Sequence, residues 1–243
     1  MNRVKLTIAY NGTAYHGWQI QNNGVTVQET IQNALHELFS EPIAVHGASR
    51  TDAGVHAKAF VAHADLPRPF PLEKLPLAMN AHLPFDIGVL SAEMVSNDFH
   101  ARFSCRGKTY SYRLVNSRLR NPLEADRAGF WPVPLSADHM NEACKAFVGR
   151  HDFTAFMATG SRIEDAVREI YDFAVHREGD IITFTVTGNG FLYNMVRIMV
   201  GTLIYDDLGK LDRSIAEVIL SRDRKLAGIT VPPQGLYLDK VYY

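Results

Sequence analysis

The residues with the clearest chemical potential lie in one short segment, GASRTDAGVHA, which spans residues 47 to 57. It brings a guanidinium (Arg50), a carboxylate (Asp52) and an imidazole (His56) into a loop between two strand-like stretches. Functional groups tend to lie on loops that a rigid scaffold holds in place. A loop aspartate is also a common turn former or helix cap, so the residue types alone leave both interpretations of Asp52 open.

His46, Asp52 and His56 also invite a metal-binding interpretation. No second carboxylate and no regular ligand spacing accompany them, so we expect no metal site. The chain also lacks the patterns of hydrolase nucleophile elbows, phosphate-binding loops and dinucleotide-binding folds. The sequence therefore predicts chemistry that uses neither a metal nor a cofactor.

The segment NGTAYHGWQIQN, residues 11 to 22, follows the first predicted strand and joins glycines to Tyr15, Trp18 and two glutamines. Aromatic and amide groups in a loop can stack on nucleotides and hydrogen-bond to them. The same two rings can equally anchor the loop to the core. The pattern leaves these alternatives open.

Two further segments combine apolar character with a few functional groups. RGKTYSYRL, residues 106 to 114, places Tyr110 and Tyr112 on one face of a predicted strand, facing either a cleft or a core. NGFLYNMVRIMVGTLI, residues 189 to 204, is apolar nearly all round, which indicates a buried helix. Its single charge, Arg197, needs a partner or a route to water for its guanidinium.

Composition places the chain among ordinary globular proteins. It has 243 residues, of which 47% are hydrophobic and 21% charged, and its formal net charge is −1.

Residues 101 to 127 form a basic stretch that is compatible either with a phosphate-tracking surface or with a solvated face. Seven cations stand there against Glu124 and Asp126; they are Arg102, Arg106, Lys108, Arg113, Arg118, Arg120 and Arg127. The chain has only two cysteines, and its sequence predicts neither a signal peptide nor a membrane span. We therefore expect a cytoplasmic protein.

Hydrophobic periodicity predicts an α+β fold with two units of similar order, residues 1 to 100 and 101 to 243. We expect a tight turn at HREGDII between adjacent antiparallel strands. The expected helices cover residues 26 to 40, 136 to 147, 191 to 205 and 212 to 220. The expected strands lie near residues 4 to 12, 42 to 46, 58 to 65, 87 to 95, 108 to 116, 169 to 176, 181 to 187 and 235 to 243.

Taken together and in order, these segments resemble the tRNA pseudouridine synthase A family over essentially the whole chain. The matching stretches are YNGTAYHGWQIQ, SRTDAGVHA, DFHARFSCRGKTYSY, NGFLYNMVRIMVGTL and GLYLDKVYY. RTDAGVH is the most specific of them. Ser49 departs from the glycine that many members have before the arginine, and KAFVAHAD lacks a glutamine often found after the motif.

The resemblance implies an isomerase that converts uridine to pseudouridine at positions 38 to 40 of the tRNA anticodon arm. It assigns Asp52, Tyr110 and Arg197 to catalysis, and Arg50 and Tyr110 to substrate binding. Asp52 would be the nucleophile, Tyr110 would stack on the uracil and remove a proton, and Arg197 would pair with Asp52. Whether Asp52 attacks the sugar or the base stays open.

The family fold implied is two ferredoxin-like βαββαβ units, with adjoining mixed or antiparallel sheets around a central basic cleft. Members act as homodimers that bind one tRNA across both subunits. Two other protein classes fit some of the same features: a non-catalytic protein that binds structured RNA, and a metal-dependent hydrolase. The first accounts for the basic stretch and the aromatic residues, but it has no need of Asp52, whose charge repels phosphate.

Overall fold

The computed structural model describes residues 2–160 and 165–243 and divides into two compact units. Unit 1 comprises Met1–Arg106 and Tyr237–Tyr243, and unit 2 comprises Gly107–Leu236. This division differs from the predicted halves mainly at the C-terminus. The end of the chain belongs with unit 1 because Tyr237 and Leu238 pair in parallel with His56 and Ala57.

Unit 1 is a sheet built around two long antiparallel strands. Its elements are β1 (Asn2–Tyr10), α1 (Val27–Phe39), β2 (Val45–Gly47), β3 (His56–Leu66), α2 (Leu75–Asn80) and β4 (Ile87–Met94). β1 runs antiparallel to β3 and to β4, and β2 runs antiparallel to β3. The predicted alternation along β1 is confirmed, since every second residue from Val4 to Tyr10 is buried.

Helix α1 begins where the sequence predicts. The Thr26 side chain accepts a hydrogen bond from the Glu29 amide, which satisfies one of the free amides at the helix start. Val27, Ile31 and Leu35 bury one face of the helix. α2 is absent from the predicted elements, because it lies in a proline-rich segment. Its proline is in the first turn, where a missing N–H costs no helical hydrogen bond.

Within unit 2 the strands follow the order β5-β9-β8-β7. Its elements are β5 (Gly107–Asn116), β6 (Gly129–Trp131), α3 (Ala137–Ala143), β7 (Gly149–Asp152), β8 (Val167–Glu178), β9 (Ile181–Gly188), α4 (Met195–Asp207) and α5 (Ile215–Ser221). β8 and β9 form the predicted hairpin, and Gly179 takes a φ of +57° in its turn. The last strand of the chain is β10 (Leu236–Tyr242).

Helix α4 begins four residues later than predicted, because Asn194 takes a left-handed φ of 60° and ends the preceding segment. The mixture of strands and helices confirms the α+β class, whereas the ferredoxin-like arrangement and the basic cleft stay predictions. Among the described residues, none of the helices combines the length and apolar character that crossing a bilayer requires.

Three histidines of unit 1 form a cluster that the sequence does not predict. The ring centroids of His46 and His63 lie 5.0 Å apart, and those of His63 and His100 lie 4.7 Å apart. His63 is buried, and its Nδ1 accepts a hydrogen bond of 3.1 Å from the Ala101 amide. The cluster therefore ties β3 to the segment that follows β4.

We expect this cluster to make unit 1 sensitive to acid. Burial, together with the positive charges of His100, His46 and Arg3, lowers the pKa of His63 from 6.5 to about 4. Below pH 6.5 the unfolded chain takes up a proton that the folded chain does not, so stability falls as the pH drops toward 4. We expect a loss of roughly 2 kcal/mol on acidification to about pH 5.

Thermal unfolding measured across this pH range tests the expectation. His63→Asn keeps a side-chain acceptor near the Ala101 amide but cannot titrate, so its unfolding temperature should fall less with acidification. An identical pH dependence in the variant and the parent chain would rule out His63 as the source.

Candidate active site

The loop between β2 and β3 carries the arginine and the aspartate that the sequence singles out. Arg50 is exposed, Thr51 is buried and Asp52 is partly buried. A guanidinium at the surface can reach a phosphate, while a half-buried carboxylate is held near the protein interior. The exposure of Arg50 is compatible with its predicted contact with phosphate, and the partial burial of Asp52 with its predicted catalytic role. Both roles stay predictions.

Hydrogen bonds hold this loop on both sides of Asp52. The Trp18 amide donates to the Thr51 carbonyl oxygen at 3.1 Å, and the Gly54 amide donates to the Tyr15 carbonyl oxygen at 3.3 Å. The hydroxyls of Tyr10 and Thr51 lie 2.9 Å apart. The backbone on either side of Asp52 is therefore fixed by the 11–22 segment and by β1.

Two glycines explain how the segments come so close. A Cβ atom on Gly12 would lie 2.0 Å from the Val55 carbonyl oxygen, and one on Gly17 would lie 2.3 Å from the Thr51 carbonyl oxygen. Gly17 also has a φ of +82°, which side chains disfavour. Only glycine fits at these two positions, so the glycine spacing in NGTAYHG reflects backbone packing against the Asp52 loop.

Tyr15 and Trp18 anchor the 11–22 segment to the core. Both are buried, the indole stacks on Phe60 with ring centroids 4.0 Å apart, and the Tyr15 hydroxyl donates to Asp86 at 2.6 Å. Burial and this carboxylate raise the pKa of Tyr15. Of the two alternatives left open by the sequence, anchoring is the one that the structure supports.

The histidines of the metal-binding interpretation belong to different surroundings. His46 stacks in the histidine cluster, whereas Nδ1 of His56 accepts from the Gly12 amide at 3.0 Å. The His56 ring stacks on Tyr237 with centroids 4.6 Å apart. Within residues 2–160 and 165–243, no three His, Cys, Asp or Glu side chains gather as metal ligands do.

The tyrosines of β5 differ in their surroundings within unit 2. Tyr110 lies opposite Val186 in the sheet, is 6% exposed and makes an edge contact with Phe191 at 5.1 Å. Tyr112 is fully buried, and its hydroxyl donates to the Pro232 carbonyl oxygen at 2.9 Å. Tyr112 is therefore a core residue, which leaves Tyr110 as the candidate of this strand.

Arg197 lies in the first turn of α4 and is half-buried. Its Nε donates to the Val231 carbonyl oxygen at 2.7 Å, and its Nη1 donates to Oδ1 of Asn194 at 2.7 Å. These bonds fix the plane of the guanidinium. Arg197 and Tyr110 belong to unit 2 and Asp52 to unit 1, so the predicted pairing of Arg197 with Asp52 stays a prediction.

The basic stretch includes exposed and paired cations. Arg118, Arg120 and Arg127 are exposed in the connection between β5 and β6. Arg113 lies 3.1 Å from Glu124 in an ion pair. The side chains of Arg118 and Arg120 lie at the surface, where an anionic partner can reach them.

Comparison with known proteins identifies the family. The family model described as tRNA pseudouridine synthase matches residues 6–104 and 143–243. The chain belongs to the tRNA pseudouridine synthase family. The match confirms the resemblance predicted from RTDAGVH and the other motifs, and it makes the chain an isomerase, since its relatives are named for that activity.

Similar proteins from several bacteria carry the name tRNA pseudouridine synthase A. The one from Ruminiclostridium cellulolyticum is 48% identical over 245 residues, covering 100% of both chains. That of Thermoanaerobacter sp. (strain X514) is 44% identical over 244 residues, again covering 100% of both. That of Myxococcus xanthus is 44% identical over 247 residues, covering 100% of this chain and 92% of the relative.

The likeness to one solved complex is much weaker than the likeness to these relatives. A Cbf5-Nop10-Gar1 complex matches with a TM-score of 0.39 at 10% identity, covering 96% of this chain and 57% of that one. At this score the likeness supports no statement about function.

Proposed function

We propose that the chain isomerises uridine to pseudouridine at positions 38 to 40 of the tRNA anticodon arm, with Asp52 as the catalytic carboxylate and without a metal or cofactor. The main support for this proposal is that hydrogen bonds restrain the loop around Asp52. Bonds from Trp18 to Thr51 and from Gly54 to Tyr15 hold it on both sides. A catalytic group must be held in its productive geometry, and a turn former needs no such restraint from a second segment.

The proposed reaction is balanced without any other reactant. The bond from C1′ to N1 of uridine breaks, the uracil turns, and a bond from C1′ to C5 forms. The proton on C5 leaves and N1 gains one, so the product is an isomer of the substrate. Asp52 acts by adding to the sugar or to the base, or by stabilising the charge that develops as the glycosidic bond breaks.

The other residues have supporting roles in this proposal. Arg50 contacts a phosphate beside the vacated stack, and its exposure allows this. Arg197 pairs with Asp52, and its bonds to Val231 and Asn194 already orient the guanidinium. Extruding the target base costs a few kcal/mol, and interactions of this kind offset that cost. We further propose that the chain acts in the cytoplasm as a homodimer on one tRNA.

Mapping the product in an unmodified tRNA transcript tests the proposal. The purified chain, incubated with the transcript and excess chelator, should form pseudouridine at positions 38, 39 or 40. Pseudouridine only elsewhere in the tRNA would contradict the proposed site. Loss of activity on chelation, restored by a divalent metal, would contradict the metal-free reaction.

Tyr110→Phe separates the two roles proposed for this tyrosine. The ring remains, so stacking on the uracil, worth about 1–3 kcal/mol, should be retained and tRNA should bind normally. The hydroxyl is removed, so turnover should fall by about 10²–10⁴-fold if it accepts the proton in the last step. The matched control is Tyr112→Phe, which removes a hydroxyl from the core and should lower stability but spare turnover.

Single-turnover rates and equilibrium binding, measured on both variants, give the outcome. Weak binding with normal turnover at saturation would restrict Tyr110 to recognition. Equal single-turnover rates for Tyr110→Phe and Tyr112→Phe would show that the Tyr110 hydroxyl takes no part in the reaction.

The exposed arginines predict how tRNA binding depends on salt. Replacing Arg118 and Arg120 by alanine should lower the slope of log affinity against log salt by about one unit for each phosphate that an arginine had neutralised. The choice of uridine should not change, because phosphate groups carry no sequence information. Lys210 and Lys225, two exposed cations of unit 2 outside the basic stretch, supply a matched double variant. If both double variants give the parent slope, the arginines form only a solvated face.

A further inference from the structure

We propose that His56 is a positioning residue for Asp52: its Nδ1 fixes the backbone at Gly12, against which the Asp52 loop packs. The inference deepens the proposed function and rests on Asp52 as the catalytic carboxylate. His56 ends the RTDAGVH motif and opens β3, four residues after Asp52.

The first observation is the bond itself. The Gly12 amide donates to His56 Nδ1 at 3.0 Å, and the histidine is only 2% exposed. A ring nitrogen accepts a hydrogen bond only when it carries no proton, so the neutral ring has its proton on Nε2. The bond therefore selects one tautomer of a buried imidazole and satisfies a buried backbone amide.

The second observation is that the ring is held in place independently of this bond. His56 stacks on Tyr237 with centroids 4.6 Å apart and an interplanar angle of 25°. The backbones of the same two residues are paired in the parallel ladder of β3 and β10. The ring thus presents Nδ1 in a fixed direction, and the Gly12 backbone must adapt to it.

The third observation links Gly12 to Asp52. A Cβ on Gly12 would lie 2.0 Å from the Val55 carbonyl oxygen, so the two backbones are in direct contact. The Val55 amide in turn donates to the Asp52 carbonyl oxygen at 3.1 Å. A short series of interactions therefore runs from the imidazole through Gly12 and Val55 to the backbone of Asp52.

This arrangement accounts for a histidine that contributes no acid or base to the proposed reaction. If the bond is broken, Gly12 is free to move away from Val55, and the loop holds Asp52 less firmly. Misplacing a catalytic group by about 1 Å can lower the rate by about 10²-fold. The effect should appear in kcat and leave the KM for tRNA unchanged, because His56 is buried and touches no substrate in this proposal.

Two substitutions of His56 distinguish the role of Nδ1 from mere filling of space. His56→Asn puts an amide oxygen close to the position of Nδ1, so it can still accept from the Gly12 amide. His56→Gln puts its oxygen close to the position of Nε2 and cannot. We expect His56→Asn to keep kcat within about threefold and His56→Gln to lower it by about 10²-fold, both with the parent KM.

The control is His46→Gln, a histidine of the same unit that stacks on His63 and is exposed. It should retain the parent kcat. Tyr237→Leu removes the stacking surface but keeps Nδ1, and should lower kcat by about tenfold, so a second variant tests the idea if His56→Gln fails to fold. Thermal unfolding reports the folding of each variant.

Two results would overturn the inference. One is an equal loss of kcat in His56→Asn and His56→Gln, which would show that the hydrogen bond accepted by Nδ1 does not position Asp52. The other is parent kcat in folded His56→Gln or, where that variant does not fold, in folded Tyr237→Leu. Asp52→Ala, assayed in parallel, keeps the two proposals apart: an active Asp52→Ala contradicts the proposed function, whereas an inactive one with active His56→Gln contradicts only the positioning role.

Discussion

Asp52→Ala is expected to lower the rate of pseudouridine formation by about 10⁴-fold or more, the size of loss seen when a covalent nucleophile is removed. Asp52→Asn should be nearly as slow, because an amide has the same shape but neither the charge nor the nucleophilicity of a carboxylate. The loop should keep its structure in both variants, since the bonds from Trp18 and Gly54 that restrain it are made by the backbone.

tRNA binding should survive both substitutions, because removing a negative charge does not weaken attraction to phosphate. Steady-state rates, equilibrium tRNA binding and thermal unfolding should be measured together. The matched control is Asp98→Asn, an exposed aspartate of unit 1, which should leave the rate unchanged. A variant that unfolds at the parent temperature, binds tRNA and still turns over at a near-parent rate would exclude Asp52 from the mechanism.

Arg197→Lys is expected to lower kcat by about 10- to 100-fold although it keeps the positive charge. Hydrogen bonds to charged groups contribute about 1.5–3 kcal/mol, and a planar guanidinium can hold a carboxylate by two parallel bonds. In the structure Nε and Nη1 of Arg197 donate to Val231 and Asn194, so the fork has a fixed orientation. A single ammonium cannot replace these directed bonds and also pair with Asp52.

Arg177→Lys is a closely matched control for this prediction. Nη2 of Arg177 donates to Oδ1 of Asn116 at 2.6 Å and to the Leu135 carbonyl oxygen at 2.9 Å, also within unit 2. This variant should be less stable but keep its kcat. If Arg197→Lys is fully active, or if the two variants lose activity equally, the pairing of Arg197 with Asp52 is wrong.

Local patterns predict the elements whose residues interact with near neighbours in the chain. The alternation from Val4 to Tyr10 predicts β1, and the Gly179 turn predicts the β8–β9 hairpin. Thr26 and the spacing of Val27, Ile31 and Leu35 predict α1. In each case the periodicity of burial and the turn or capping residue agree, and both depend on a few consecutive residues.

Interactions between distant residues are not predictable in this way. The return of Tyr237 to His56 crosses most of the chain and leaves no local signal at either end. The cluster of His46, His63 and His100 depends on the register of β2 against β3 and on the segment after β4. Registers of this kind are set by the whole sheet, so single residues do not reveal them.

The candidate site shows the same difference between local patterns, which the sequence reveals, and long-range contacts, which it does not. RTDAGVH indicates the family, and through it Asp52 as the proposed catalytic residue, without any knowledge of three-dimensional structure. The glycines of NGTAYHG carry a signal that is visible but ambiguous, since the approach of Gly12 to Val55 needs a partner backbone that only the fold supplies. Tyr15 and Trp18 look equally suited to stacking on bases, and their burial against Asp86 and Phe60 emerges only in three dimensions.

The most direct test of the central claim is release of tritium from tRNA labelled at C5 of its uridines, under single-turnover conditions. C5 must lose its hydrogen whenever a bond to C1′ forms there, so release reports isomerisation itself. The parent chain should release tritium from positions 38 to 40, and Asp52→Ala should release none above background while still binding the tRNA. Release by folded Asp52→Ala at the parent rate would contradict the account.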